Sequence, residues 1–151
     1  MAIATTRRVD AEGLREFLAT RRNLVLLTYR ADGGPQLSPV TGAQAPDGRI
    51  LVASYPRRAK SVNLARDPRC SLLALGEDFG DAWVQIDGTG EVIGGEEGVE
   101  ALVEYYRAAA GEHPDWEDYR RAMRERDKVC LAVTPVRWGP VATGGIPPEY
   151  A

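Results

Sequence analysis

Residues 23–55, NLVLLTYRADGGPQLSPVTGAQAPDGRILVASY, decide the fold. The first part, NLVLLTYR (23–30), is rich in strand formers and stops at Ala31-Asp32-Gly33-Gly34. That run suits a hairpin turn, because glycine and aspartate tolerate the backbone angles a tight reversal needs. A second strand starts at Pro35, carries PQLSPVTGAQ, turns at Ala45-Pro46-Asp47-Gly48 and returns as RILVASY (49–55). Three antiparallel strands are therefore written almost continuously.

Working outward, residues 10–22 place Leu14, Phe17 and Leu18 at helical spacing, with Asp10 available to cap the first free backbone amides. On the other side Pro56 breaks the third strand, and residues 57–66 read as a short helix ended by Asp67-Pro68. RCSLLALG (69–76) is a fourth strand, and AWVQIDGTGEVI (82–93) a fifth, in which Gly88 and Gly90 predict a bulge or sharp bend. A helical pair follows: residues 96–110 carry Val99, Leu102, Val103 and Tyr106, and residues 114–126 carry Trp116, Tyr119 and Met123. KVCLAVTPVRW (128–138) closes the set as a sixth strand. Strands joined by hairpins and interrupted by few helices lack the regular alternation of a parallel α/β sheet. The pattern predicts a mainly β, α+β domain over residues 1–151: a closed or split antiparallel barrel with peripheral helices. Only TGGIPPEYA (143–151) reads as loosely structured.

Composition narrows the function. Hydrophobic residues make up 44% and charged residues 27%, which is ordinary for a folded globular protein, and the net charge is -3. No global basic field draws this chain to nucleic acid or to an anionic membrane, so any anion site is local. Cys70 and Cys130 lie far apart in apolar segments and read as reduced core residues. A single histidine, His113, excludes a His-rich metal cage and leaves few ways to build a Ser-His-acid triad, so no metal site is expected. No apolar run is long enough to span a bilayer, and the start MAIATTRRVDAEG lacks the hydrophobic middle of a secretory signal, so the cytoplasm is the expected compartment.

The densest positive feature is Arg57-Arg58-Ala59-Lys60-Ser61, where a strand gives way to a short helix. Free amides at a helix start favour an anion, and Arg with Lys adds charge-assisted bonds to a phosphate. The same run also reads as a solvated basic turn. On the preceding hairpin Gln36, Ser38 and Val40 share one face of a regular strand, either to hydrogen-bond the edge of a ring system or as an ordinary solvent face. His113, before Pro114, reads as scaffolding at a helix start, and the aromatic stripe of Tyr105, Tyr106, Trp116 and Tyr119 reads as packing.

Taken together, PQLSPV (35–40), ILVASYPRRAKSVNLARDPR (50–69) and the GTGE bend (88–91) resemble the split β-barrel, FMN-binding-like proteins related to pyridoxamine 5'-phosphate oxidase. AKSVNL (59–64) followed by Arg66-Asp67-Pro68-Arg69, and AGEHPDWEDYRRAM (110–123), are similar to the coenzyme F420-dependent subgroup, so that the resemblance runs from Leu14 to Trp138. It implies a six-stranded antiparallel split β-barrel that forms a homodimer, with two cofactor sites between subunits. It also implies that Arg58 and Lys60, with Ala59 in the same turn, hold the cofactor phosphate, that Ser61 and Asn63 support that turn, and that Gln36, Ser38 and Val40 line the ring. Trp83 would come from the partner subunit; it stands where near relatives carry Tyr, and Pro39 stands where a polar residue is expected. The Arg-rich C-terminal motif by which true pyridoxamine phosphate oxidases grip their substrate is lacking. The implied activity is hydride transfer from reduced 8-hydroxy-5-deazaflavin to a conjugated, electrophilic small molecule, with the chemistry on the cofactor and no catalytic side chain assigned. Use of FMN in the same reaction class, and a non-catalytic flavin or deazaflavin carrier, are the alternatives.

Overall fold

A computed structural model describes residues 2–151. After a short strand β1 (Thr5–Arg7) comes helix α1 (Ala11–Leu18), whose Asp10 cap accepts a hydrogen bond from the Gly13 amide at 2.8 Å. The helix ends four residues before the sequence predicts. Arg22 turns its guanidinium back onto the carbonyls of Leu18 and Ala19 at 3.3 and 3.1 Å, and also donates to Ala108 and Ala109 at the end of a later helix. A cation placed on free C-terminal carbonyls satisfies acceptors that have no intrahelical partner.

Strands β2 (Asn23–Tyr29), β3 (Pro35–Gln44) and β4 (Ile50–Ser54) follow through the two predicted turns, where Gly33 and Gly48 take φ of 85° and 97°. Helix α2 (Ala59–Arg66), β5 (Arg69–Ala74), β6 (Val84–Ile93), α3 (Gly95–Ala110), α4 (Trp116–Glu125), β7 (Val129–Trp138) and β8 (Val141–Thr143) complete the chain, apart from one 3-10 turn at Pro148–Tyr150. Six strands close into a barrel in the order β2-β3-β4-β7-β6-β5, every neighbour antiparallel. The expected bend is a register shift between Asp87 and Gly88. A side chain at residue 88 would stand 2.6 Å from Val133 Cγ1 and 2.8 Å from the Thr134 carbonyl oxygen, so glycine is required where β7 approaches.

Leu26, Leu72, Ile86, Leu131 and Val133 fill the barrel. A second core of Leu51, Val99, Leu102, Cys130 and Met123 lies between α3, α4 and the outer faces of β4 and β7. Residues 129–133 of β7 are therefore buried on both faces, which is why VCLAV has no polar alternation. The aromatic stripe is packing as expected: Tyr106, His113, Trp116 and Tyr119 lie ring against ring at 5.0–5.6 Å, and Tyr119 donates to the Leu102 carbonyl.

The C-terminal TGGIPPEYA is not loose. β8 pairs with β1, the Ile146 amide donates to the Ala2 carbonyl at 3.0 Å, and the Ala4 amide donates to the Ile146 carbonyl at 2.8 Å, tying the two ends of the chain together.

Cys70 and Cys130 are free and buried. Burial, with the charge of Asp87, pushes the Cys70 thiol up to about 11, and burial pushes Cys130 up to about 12. Both stay protonated and shielded near neutrality. At pH 8 a thiol reagent should therefore label both cysteines in denaturant and neither within minutes in native buffer; rapid native labelling would show that these strands open.

Candidate functional site

The split in the barrel is read directly from strand register. Residues 35–41 of β3 pair with β2, but β4 runs beside β3 only at residues 42–44. The first part of β3 therefore carries a strand on one edge and none on the other. Helix α2 packs there, against β2, β3 and β6.

Local sequence makes α2 form at this place. Pro56 ends β4, the Arg58 amide donates to the Tyr55 carbonyl at 3.2 Å, and Arg58 takes the extended N-cap conformation before the first helical turn. Buried Ser61 and Ser54 share a hydrogen bond of 2.8 Å between their hydroxyls, fixing the start of α2 to the end of β4. Leu64 enters the barrel core, where a Cβ at Gly90 would stand 2.7 Å from its Cδ1. The second turn is held to β2: Asn63 Nδ2 donates to Thr28 Oγ1 at 3.2 Å, and Arg66 donates to the Tyr29 carbonyl at 2.7 Å.

The start of α2 is electrostatically inverted. α1, α3 and α4 each carry acidic residues in the first turn, and α1 and α4 are also capped by Asp10 and Asp115. α2 has neither a side-chain cap nor a first-turn acid. Among the described residues Arg57, Arg58 and Lys60 form no ion pair, although other arginines do. Burial and then the charge of Arg58 hold the half-buried Lys60 ammonium below the usual lysine range. Free helix amides and two crowded cations are complementary to a phosphate. In this respect the residues present fit a phosphorylated cofactor.

Gln36, Ser38 and Val40 are half-buried on the inward face of β3, opposite Thr28, Leu26 and Leu24 of β2. Gln36 Nε2 donates to Ser38 Oγ at 2.9 Å, and Val40 packs against the core. Pro39 lies on the other face, in alternation with them, and is exposed. Ser61 and Asn63 are buried and anchor the helix from beneath rather than lying open at its start. Trp83, 38% exposed, precedes β6 and is fixed by a backbone bridge to Ala142. Trp83 precedes the end of β6 where Val84 pairs with Ala74 of β5, whereas α2 meets β6 at Gly90, so most of the strand separates Trp83 from α2.

Sequence reading missed Thr28, Ser54 and Arg66, which bind α2 to the barrel. The signal available was an inward hydroxyl inside an apolar strand, since a buried polar group needs a partner. It also missed an open cleft of about 650 Å³ on the outer face of the barrel, lined by Val25, Leu27, Leu37 and Leu73 with Arg69 and Asp87 among its polar groups. NLVLLTY, apolar at successive positions rather than alternating, is the mark of a strand that is apolar on both faces.

Comparison with known proteins agrees with this fold. The family profile of pyridoxamine 5'-phosphate oxidase matches residues 11–142. Among solved structures, a conserved hypothetical protein of Mycobacterium tuberculosis superposes with a TM-score of 0.72 at 24% identity, covering 91% of this chain and 89% of its own. An F420 reductase superposes with a TM-score of 0.60 at 20% identity, covering 82% of this chain and 94% of its own. An FAD-binding protein of Mesorhizobium loti does so with a TM-score of 0.64 at 16% identity, covering 95% of this chain and 98% of its own. At these identities the likeness is one of fold.

Proposed function

The chain belongs to the pyridoxamine 5'-phosphate oxidase family, and from that premise we propose that it is an oxidoreductase using coenzyme F420, in preference to FMN, to reduce a conjugated, electrophilic small molecule. The observation that carries the reading is that Arg58 and Lys60 form no ion pair among the described residues and stand at the uncapped start of α2, the helix that fills the split beside Gln36 and Ser38. When bound, the cofactor supplies the hydride. Arg58, Lys60 and the first amides of α2 grip the phosphate; Gln36 lines the polar edge of the ring and orients Ser38, which offers it a hydrogen bond; Val40 packs beside it. Preference for the deazaflavin rests on the resemblance in AKSVNL and AGEHPDWEDYRRAM, and on Arg57, an exposed cation suited to the acidic tail of that cofactor. Attraction between exposed charges is weak and screened, so added salt should weaken F420 binding more steeply than FMN binding.

The second subunit is part of this proposal. Trp83 reaches a groove only from a partner, and the exposed Leu37 and Val136 on the outer barrel face are apolar surface that a second copy covers. Light scattering at micromolar concentration should give twice the 16.5 kDa of one chain. A strict monomer that still bound cofactor would remove Trp83 from the site.

For the activity, protein is mixed with reduced F420, and return of the oxidised absorbance is followed after adding enones or quinones. Acceleration by protein, lost in Lys60→Ala, supports the reductase. Tight binding without acceleration for any acceptor would make the protein a carrier.

A further inference from the structure

A single hydrogen-bond chain leads from α2 to the ring-lining strand, and its direction is fixed at one end by chemistry. Arg66 carries only donors and bonds Asn63 Oδ1 at 3.0 Å. The Asn63 amide nitrogen must then face the other way, where it donates to Thr28 Oγ1 at 3.2 Å. With that oxygen accepting from Asn63, the Thr28 proton is left for Gln36 Oε1, 3.4 Å away. Gln36 in turn points its nitrogen at Ser38 Oγ, 2.9 Å, and at the Leu37 carbonyl, 3.1 Å. Ser38 Oγ therefore accepts from Gln36, and its own proton is left with a long intrachain bond that a better-placed ligand acceptor can take over. Within the chain that proton's other resting place is Gln36 Oε1 at 3.3 Å, an oxygen already engaged by Thr28.

We propose that Thr28 is a positioning residue: by fixing the Gln36 amide it makes Ser38 a hydrogen-bond donor to the bound ring, so that the site selects a ring edge presenting an acceptor, a carbonyl oxygen or an imine nitrogen, opposite Ser38. The inference rests on the proposed cofactor site and deepens it. Thr28 is fully buried and touches the ligand only through Gln36 and Ser38. Its hydroxyl carries the hydrogen-bond path from the helix of the cations to the strand of the ring contacts, and a chain of hydrogen bonds aligned in one sense, starting at a guanidinium, strengthens the last donor. Without the hydroxyl, the Asn63 amide and Gln36 Oε1 lose their shared partner and the Gln36 amide is free to turn over, handing its oxygen to Ser38 and taking the Ser38 proton.

The test combines cofactor binding with a measurement that needs no cofactor. Thr28→Val keeps the shape and removes the hydroxyl; it should weaken whole-cofactor binding about tenfold, in the range of one lost hydrogen bond. Binding of inorganic phosphate, held by Arg58 and Lys60, should be unchanged. Ser38→Ala should lose about as much, and the double variant no more than either single one, since both remove the same donor. Thr28→Ser should restore binding. Gln36→Glu, at a half-buried position safe for the fold, removes the amide donor and draws the Ser38 proton to a carboxylate; it should match Ser38→Ala, and it serves in place of Thr28→Val if that variant melts too low. In ¹⁵N–¹H spectra of the cofactor-free protein, the Gln36 side-chain amide pair should be resolved and slow to exchange, and should lose both properties in Thr28→Val. Wild-type cofactor affinity in Thr28→Val and Gln36→Glu, or an unshifted Gln36 amide in Thr28→Val, overturns the relay. A wild-type protein that binds neither F420 nor FMN overturns the cofactor site instead, and the amide spectra still decide the role of Thr28.

Discussion

Replacing Lys60 by Ala, and separately Arg58 by Ala, is expected to weaken F420 binding roughly ten- to a hundredfold, because a charge-assisted bond to phosphate contributes roughly 1.5–3 kcal/mol. Neither change should lower the melting temperature. In the free protein the two cations crowd one another, and burial and Arg58 hold the Lys60 pKa below the ordinary 10.5. A lysine whose folded pKa is depressed disfavours folding while it is charged; that penalty is fully present below the folded pKa and fades as pH rises toward 10.5. Lys60→Ala should thus melt no lower than wild type near neutral pH. A bound phosphate does the opposite and favours the charged form, so affinity should fall as pH climbs through the lowered Lys60 pKa, and this dependence should vanish in Lys60→Ala. Equal affinity in wild type and both alanine variants, with normal melting, would reduce the basic turn to solvated surface.

Leu64→Ala should give the largest loss of stability among changes near the site. Leu64 is 2% exposed and is the apolar side chain by which α2 enters the barrel core, against Gly90. Removing a buried leucine costs about 2–5 kcal/mol, since the lost transfer energy is joined by a cavity that closes only in part. For a chain of this size the melting temperature should fall by ~10 °C. Cofactor affinity should fall with it, because the cations ride on that helix. Val62→Ala is the control: Val62 is on the same helix and 47% exposed, so thermal melting should hardly move. A Leu64→Ala protein that melts like wild type would mean that Ser61, Asn63 and Arg66 alone hold α2 in place.

Most of the barrel is legible in the sequence because its connections are local and chemically marked. Gly33 and Gly48 adopt the positive φ their turns demand, Asp10 caps the helix it precedes, and Pro56 ends β4. The β1–β8 ladder was not legible, since three-residue strands show no periodicity and Thr5 pairs with Thr143 at the far end of the chain. The shorter α1 has a similar origin: residues 19–22 are compatible with helix, but Arg22 caps the carbonyls of Leu18 and Ala19 and reaches Ala108 and Ala109, contacts that sequence spacing does not show. In the candidate site the cations stand together in sequence and were visible as a cluster. The supporting hydroxyls of Thr28 and Ser54 sit inside apolar strands, and their partners, Asn63 and Ser61, are set by how α2 seats in the split. Pro39, read with its neighbours, falls on the opposite face by the two-residue alternation of a strand.

The most direct test of the cofactor assignment is equilibrium titration of the purified protein with coenzyme F420 and with FMN at low ionic strength, followed by cofactor fluorescence. Saturable binding of one F420 per chain, tighter than FMN and more sensitive to salt, is the predicted result. Stoichiometric FMN binding with no measurable F420 binding, in protein that melts cooperatively, would contradict it.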